Sequence, residues 1–426
     1  MNGQSEKTSR VNAPLTFHIA SKKAGCHSLS LDCRDFRELF LKNRFEPVDD
    51  PAEASVIIIG ACVVVPITEN WTIDLVRKMR PHRDRGAVII VTGCMTDQLK
   101  ARISTVADCL FFSAAEVDRA REYFGFSATF DEGKGEDSFV FSFHGKVKYW
   151  QIVHEIMRWV HWATHTISPN AAVMLGRLLN TTYAYAPRAY LVRCARGCSN
   201  FCAYCAIRIA RGRLKSRALD SIVNEVREAL KMGCDHFVLV ADDLSAYGLD
   251  LENLRLSQLL EAILGLGDSF TLEMHNLHPK HILSDLDRFL EVLSKRIRCI
   301  HFDFQSGSNR ILKLMNREYT KEDVLFGATA ILRKAPFISL RTDVIVGFPS
   351  EEEEDLTETM DVLLKIPFER VEVEFFVERP GASAVRLPGQ IPLPVRKERQ
   401  KRVRLFYYRK QLRRWMAGLT GKDSFF

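Results

Sequence analysis

The stretch RCARGCSNFCAYCAI holds four cysteines within fifteen residues. Cys198, Cys202 and Cys205 form a C-x3-C-x2-C pattern, and Cys194 precedes it. Four thiolates could close a tetrahedral zinc site, with Cys194 as the fourth ligand. Three thiolates could instead hold a 4Fe–4S cluster and leave one iron open to bind a small molecule. The spacing alone leaves both kinds of metal site open.

Strand-like and helical patterns alternate after the start of this stretch, from about residue 189 to 378. The apolar runs are AYLVRC, HFVLVAD, FTLEMH, CIHFDF, SLRTDVIVG and VEVEFFV, and stretches such as DSIVNEVREALKMG separate them. Six such repeats predict a (β/α) barrel, complete or partial, with its site at the carboxyl-terminal mouth of the strands. The cysteine loop follows the first strand, so we expect it at that mouth. This context favours the three-thiolate cluster over zinc.

The first hundred residues alternate in the same way. LTFHIA, ASVIIIGA, AVIIVTG and DCLFF are strand-like, and RDFRELFLKN and TIDLVRKM are amphipathic. The pattern predicts a parallel sheet with covering helices, closed by the hydrophilic break FDEGKGEDS. A further segment, YWQIVHEIMRWVHWATHTI, has the wide apolar stripe of a helix that packs on a neighbouring domain. We therefore expect four parts: an α/β domain (14–130), a Trp-rich helical insertion or linker (138–185), a barrel (189–390) and a basic helix (391–426).

Several short motifs follow the cysteine loop in order. After GCSNFCAYCAI, with Tyr204 before its last cysteine, come ARG, VLVADDLSAYG, FQSGSNRILKLMNREYT, RTDVIVGFPSEEEEDL and ERPGASA. In this series the chain resembles the radical S-adenosylmethionine (SAM) methylthiotransferases over roughly residues 14–420, apart from the Trp-rich segment. The resemblance implies an enzyme that inserts sulfur at an unactivated C–H bond and transfers a methylthio group. It also implies an N-terminal flavodoxin-like, doubly wound sheet followed by a partial (β/α) barrel.

The resemblance further implies SAM and two 4Fe–4S clusters as cofactors. In that family the C-x3-C-x2-C cluster binds SAM at its open iron, and reduction cleaves SAM to a 5′-deoxyadenosyl radical. Three more cysteines hold a second cluster, whose open iron carries the sulfur. The matching residues here are Cys26, Cys62 and Cys94. Strand ends of an open parallel sheet gather at one edge, so these thiols could converge. From the residues alone, three buried core cysteines are the alternative.

Other positions match motif residues that lie near SAM or the reacting atoms in that family. The residues matched to cofactor contacts are Tyr204, Gln305, Arg341, Ile345 and Gly347. Asp243, at the end of the second barrel strand, and Arg211, after the cluster loop, match residues near the chemistry. For each of these an ordinary strand-end residue is the alternative. His275 and His278 also fall near the mouth, where a satisfied barrel histidine is the simpler interpretation.

The chain departs from the family pattern at several points. Arg208 stands where a proline is usual, Leu214 where a glutamate is usual, and Ala382 where a threonine is usual. Family members usually carry a small C-terminal β-barrel domain, called TRAM, that helps bind tRNA or a protein substrate. The sequence ends at Phe426, where that domain would begin, so we expect it to be missing.

The basic charge of the chain is local. The segment VRKERQKRVRLFYYRKQLRR holds ten Lys or Arg and one Glu, which leaves the rest near −2 of the total +7. Because tRNA binding needs phosphate contacts over a large surface, we expect a peptide, protein side-chain or small-metabolite acceptor. A tRNA adenosine acceptor is the alternative. A cobalamin-dependent radical SAM methylase and a non-catalytic iron–sulfur or RNA-binding module also remain open.

The composition also bears on location and partners. The opening residues lack a signal-peptide core, and no run approaches the length of a membrane span. Eleven clustered cysteines are typical of thiols kept reduced for metal binding or catalysis. We therefore expect a cytoplasmic protein without membrane contact. Besides SAM and the acceptor, its expected partner is an electron donor such as flavodoxin or ferredoxin.

Overall fold

The computed structural model describes residues 15–21, 26–63, 66–128, 189–252 and 254–419. The predicted Trp-rich insertion lies outside these residues. The strands are β1 (Thr16–Ala20), β2 (Glu46–Pro47), β3 (Val56–Ala61), β4 (Val88–Gly93), β5 (Leu110–Phe111), β6 (Tyr190–Arg193), β7 (Ala195–Arg196), β8 (Lys215–Ser216), β9 (His236–Val240), β10 (Thr271–Leu277), β11 (Ile297–Phe302), β12 (Ser339–Val346) and β13 (Arg370–Phe375).

Helices follow most of these strands. They are α1 (His27–Lys42), α2 (Pro66–Asp84), α3 (Asp97–Ser104), α4 (Val117–Phe124), α5 (Ile207–Arg211), α6 (Leu219–Lys231), α7 (Leu256–Leu264), α8 (Pro279–Leu283), α9 (Leu286–Val292), α10 (Asn309–Leu314), α11 (Lys321–Lys334), α12 (Glu353–Lys365) and α13 (Leu393–Leu419). Short 3-10 turns occur at Ala114–Glu116, Leu244–Ala246 and Ser383–Arg386. In the described ranges, none of the helices is long and apolar enough to cross a membrane.

The described strands of the first domain form a parallel sheet in the order β2-β1-β3-β4-β5. This is the flavodoxin-like order, so the predicted doubly wound sheet is confirmed. All of β3 is buried, because α1 and α4 cover one face of the sheet and α2 and α3 the other. A strand covered on both faces reads as an unbroken apolar run, which explains the sequence VIIIGA.

The second sheet is parallel and has the order β13-β12-β11-β10-β9-β6 among the described strands. Its strands follow one another in chain order, so the predicted partial (β/α) barrel is confirmed. Alternate residues of each strand pack outward on the helices, for example Leu239, Met274 and Val344. The other face points inward. On β6 and β9 that inner face is covered by Leu31 of α1, which packs on Val238 and Val240.

Helix α13 lies along β13, the edge strand of the barrel. Val403 and Tyr407 are buried on its inner face. Its polar side chains also bind main-chain carbonyls of the edge: Gln400 donates to Val373 at 2.8 Å, and the Tyr407 hydroxyl donates to Glu369 at 2.7 Å. An uncovered edge strand would present such groups to other chains. The basic helix therefore also covers the open edge of the barrel sheet.

Candidate active site

The loop that holds the C-x3-C-x2-C cysteines leaves the barrel at the end of β6. Cys194, at the start of that loop, is held by its N–H, which donates to Val240 O at 2.8 Å. Its side chain is buried in the core between barrel and helices, and burial raises the pKa of the thiol to about 12. Cys194 is thus a packed core residue.

The other three cysteines of the loop turn toward one another. The N–H of Cys205 donates to Cys202 O at 3.1 Å, and the N–H of Asn200 donates to the Cys198 sulfur at 3.4 Å. Burial raises the pKa of Cys205 to about 12, and the nearby Cys202 thiol adds to that rise. Three neighbouring thiolates repel one another, so their ionised form requires a bound metal centre to balance the charge. This donor set fits an iron–sulfur cluster.

Arg317 reaches this trio from the turn that follows α10. Its Nη1 lies 3.3 Å from the Cys202 sulfur and 3.1 Å from the Tyr204 hydroxyl. Its Nε donates to the Tyr319 hydroxyl at 2.7 Å, and its Nη2 donates to the main-chain carbonyl of Asp303. The side chain is buried. These four contacts hold the guanidinium in one orientation, with Nη1 against the sulfur of Cys202, a candidate cluster ligand.

Arg208, which replaces the usual proline, also braces the loop. Its Nη1 donates to Cys198 O at 2.8 Å, and its guanidinium lies 3.9 Å from the centre of the Phe201 ring. Asp243 lies behind the same loop, where its buried carboxylate accepts from Asn200 and Ser245. The carboxylate of Asp243 therefore helps to fix the cysteine loop through its hydrogen bond from Asn200.

The three cysteines of the first domain lie at one edge of its sheet. Cys26 directly precedes α1, Cys62 follows β3, and Cys94 follows β4. Desolvation of its sulfur raises the pKa of Cys26, although the residue as a whole is exposed, and the nearby Cys62 thiol raises it further. Burial raises the pKa of Cys94, and Cys26 adds to that rise. The structure thus brings together three thiols that are far apart in sequence.

Arg211 joins this second trio to the barrel. Its Nη1 lies 3.2 Å from the Cys94 sulfur and 2.7 Å from Asp32 on α1. Its Nε donates to Asp242 at 2.7 Å. Asp32 is fully buried and also pairs with Arg193 at 3.0 Å. A buried ionic network therefore fixes the first domain against the barrel beside Cys94.

Four of the five residues matched to SAM contacts meet at the mouth of β12. Gln305 O accepts from the N–H of Ile345 at 2.9 Å. Ile345 and Tyr204 pack against one apolar cluster. Gly347 has φ of 69°, and a Cβ there would meet the Arg396 side chain at 2.7 Å, so glycine is required. Arg341 is different: it is the third residue of β12, about 16 Å along the strand from its end.

Arg341 instead belongs to a polar group inside the barrel. His275 lies 3.2 Å from Glu273, and His301 lies 3.0 Å from Asp343 and 3.2 Å from Asp303. Burial lowers the pKa of His301, but the two aspartates outweigh it and raise the pKa to about 9. The inner face of β10 to β12 is therefore charged. The sequence interpretation singled out His275 but missed His301, Asp303 and Asp343. Alternation in CIHFDF places His301 and Asp303 on one face, but Asp343 comes from the next strand.

Two sequence families match the two domains. Residues 192–363 match the radical SAM superfamily, and residues 18–112 match the uncharacterized protein family UPF0004. A tRNA-2-methylthio-N(6)-dimethylallyladenosine synthase from Moorella thermoacetica is 30% identical over 402 residues, which are 92% of this chain and 82% of the relative. The chain belongs to the radical SAM methylthiotransferase family. It is a transferase that uses SAM and two 4Fe–4S clusters.

Other relatives and a solved structure are also similar. A probable threonylcarbamoyladenosine tRNA methylthiotransferase from Pyrococcus horikoshii is 28% identical over 392 residues, covering 89% of this chain and 82% of the relative. The radical SAM methyltransferase TsrM from Kitasatospora setae, solved with cobalamin and a 4Fe–4S cluster, superposes with a TM-score of 0.50 at 11% identity. That alignment covers 85% of this chain and 75% of TsrM, and it supports the fold alone.

Proposed function

We propose that this methylthiotransferase modifies an adenosine of tRNA. The observation that carries the proposal is the similarity over 92% of the chain to a relative named as a tRNA-2-methylthio-N(6)-dimethylallyladenosine synthase. A second relative is likewise named as a tRNA enzyme. The relatives therefore favour the tRNA alternative over the peptide, protein side-chain or small-metabolite acceptor that the charge distribution favours.

The two cysteine trios are the proposed ligands of the two clusters. Cys198, Cys202 and Cys205 would hold the cluster that binds SAM, and Cys26, Cys62 and Cys94 the cluster that carries sulfur. Bound there, the clusters supply the electron for SAM cleavage and the sulfur for transfer. Tyr204, Gln305, Ile345 and Gly347 are proposed to line the SAM site, since they share the mouth of β12. For Arg341 the mid-barrel position supports a contact with the acceptor better than one with SAM.

The space between the trios is the proposed acceptor site. Arg379 on the barrel donates to Glu69 on α2 at 3.0 Å. Burial lowers the pKa of Arg379, while Glu69, then the Cys62 and Cys205 thiols, oppose that fall. The Arg379 guanidinium thus lies within electrostatic range of one cysteine of each trio, which supports an acceptor site between the two trios. Arg211, matched to a residue near the chemistry, holds the first domain in place on the other side.

Helix α13 is the proposed contact for the tRNA backbone. Lys397, Lys401, Arg409 and Arg413 are exposed. Within the described part of the chain none of the four has an ion-pair partner within 4.0 Å. Unpaired cations on one helix suit phosphate contacts, which release counterions on binding. The proposed setting is the cytoplasm, with a flavodoxin or ferredoxin as the electron donor.

The test is mass spectrometry of tRNA nucleosides from cells with and without this gene. Deletion should remove a 2-methylthio adenosine derivative, and complementation should restore it. Complementation with Cys202→Ala is the matched control and should fail, because the variant lacks one proposed ligand. Identical nucleoside profiles in the deletion and parent strains would overturn the tRNA acceptor.

A further inference from the structure

Each cysteine trio has one buried arginine that donates to one of its sulfurs, but the two arginines differ in charge balance. Arg211, at Cys94, is paired with Asp32 and Asp242, both at 2.7 Å. Arg317, at Cys202, has hydroxyl, carbonyl and sulfur partners. Among the residues that the structure describes, no carboxylate oxygen lies within the 4.0 Å ion-pair distance of Arg317.

A buried cation that forms no ion pair is costly unless another anion compensates it. The Asp303 carboxyl acts on Arg317 from beyond ion-pair distance, but it pairs with His301 at 3.2 Å. The only partner of Arg317 named above that can carry a full negative charge near neutral pH is the Cys202 sulfur, once it is a metal-bound thiolate. The hydroxyls of Tyr204 and Tyr319 stay neutral near pH 7, because an ordinary tyrosine has a pKa of about 10. The protein therefore holds a fixed positive charge for a cluster on this trio.

We propose that Arg317 is a positioning residue that raises the reduction potential of the cluster on Cys198, Cys202 and Cys205 and so directs the incoming electron to it. Reduction adds one negative charge to a cluster, and a nearby cation that forms no ion pair with a carboxylate stabilises that charge in a poorly hydrated site. The electron comes from a low-potential one-electron donor of the flavodoxin or ferredoxin class, which is oxidised by one electron. No bond changes in this step.

At the trio of Cys26, Cys62 and Cys94, the arginine does not raise the reduction potential in this way. The charge of Arg211 is balanced by its two aspartates, so only its hydrogen bond acts on Cys94. The difference favours reduction of the SAM-binding cluster over the sulfur-carrying one. This matters chemically because an electron on the second cluster would not cleave SAM. The inference rests on the proposed ligand sets.

The experiment is a redox titration followed by electron paramagnetic resonance. It uses the anaerobically reconstituted chain in a Cys26→Ala, Cys62→Ala, Cys94→Ala background, so that one cluster signal remains. Arg317 is changed to Lys, Gln and Met in that background. Arg217→Met is the matched control, since Arg217 is also buried but pairs with Glu225 and touches none of the six cysteines.

At an ambient potential that half-reduces the parent, Arg317→Gln and Arg317→Met should lower the ratio of reduced to oxidised cluster at least tenfold. A tenfold ratio equals 59 mV for one electron. Arg317→Lys, which keeps the charge, should lie between these variants and the parent, and Arg217→Met should match the parent. Equal potentials for Lys, Gln, Met and parent would overturn the proposal. Loss of all iron in the background itself would instead overturn the proposed ligand sets.

Discussion

The Arg379 guanidinium and the Glu69 carboxylate form a hydrogen-bonded ion pair of 3.0 Å between the barrel and the first domain. Both side chains are largely buried. Arg379 belongs to the ERPGASA segment that follows β13, and Glu69 belongs to the first turn of α2. Cys205 and Cys62 both lie within electrostatic range of Arg379, so the ion pair is near one cysteine of each trio. We therefore expect that docking of the two domains is needed for activity.

Removal of the first-domain trio should halve the iron content. With Cys26, Cys62 and Cys94 all changed to Ala, the reconstituted chain loses one proposed cluster and keeps the other. The measurement is iron and sulfide per chain after anaerobic reconstitution. Reductive SAM cleavage to 5′-deoxyadenosine should persist, because the proposed SAM-binding trio is intact. Unchanged iron would contradict the second cluster.

Cys202→Ala should abolish 5′-deoxyadenosine formation with dithionite as the reductant. The parent should form both S-adenosylhomocysteine and 5′-deoxyadenosine, because we propose that SAM serves twice, as methyl donor and as radical source. The check is chromatography of both products. Cys194→Ala is the matched control, because Cys194 is on the same loop but packs in the core, and it should still yield 5′-deoxyadenosine. Continued formation by Cys202→Ala would refute the assignment.

Asp32→Asn should loosen the docking of the two domains. Asp32 is buried and pairs with Arg193 and Arg211. Removing one partner of a buried ion pair costs about 3–5 kcal/mol, because the remaining charges lose compensation. We expect a lower midpoint in urea denaturation followed by circular dichroism. Asp74→Asn, which removes an exposed pair with Arg77 on α2, should leave the midpoint within error. A similar midpoint for both variants would show that the network contributes little.

Stability should fall between pH 7 and 9.5 as His301 loses its proton. Its pKa in the folded chain is about 9, above the ordinary 6.5, so the contribution is complete below pH 6.5 and is lost as pH rises through 9. A shift of this size corresponds to roughly 3 kcal/mol. His301→Gln should flatten the pH dependence of the thermal midpoint, and His82→Gln on α2 should not. An equally steep decline in His301→Gln would rule out this origin.

The alternation of strands and helices in both domains could be predicted from the sequence. So could the placement of the candidate cysteines at strand ends, because the carboxyl ends of parallel strands share an edge. The flavodoxin-like strand order came from the family resemblance. β2 was missed, since a two-residue strand with Pro47 has no periodic signal. The contact from Arg317 to Cys202 joins positions 115 residues apart, and local patterns carry no information about such a distance. The balance of charge around each arginine likewise depends on packing from several elements.

Neutralising the exposed cations of α13 should weaken tRNA binding and reduce its salt dependence. Lys397→Gln with Lys401→Gln removes two unpaired charges that are one helical turn apart, about 6 Å. Each lost phosphate contact should lower the slope of log K against log salt by roughly 0.7–0.9. The measurement is filter binding of tRNA to the reconstituted chain at several salt concentrations. The matched control is Arg333→Gln with Lys334→Gln, two exposed cations at the end of α11, which should leave the slope unchanged. If both double variants lowered the slope equally, binding would reflect general charge, and α13 would not be the tRNA contact.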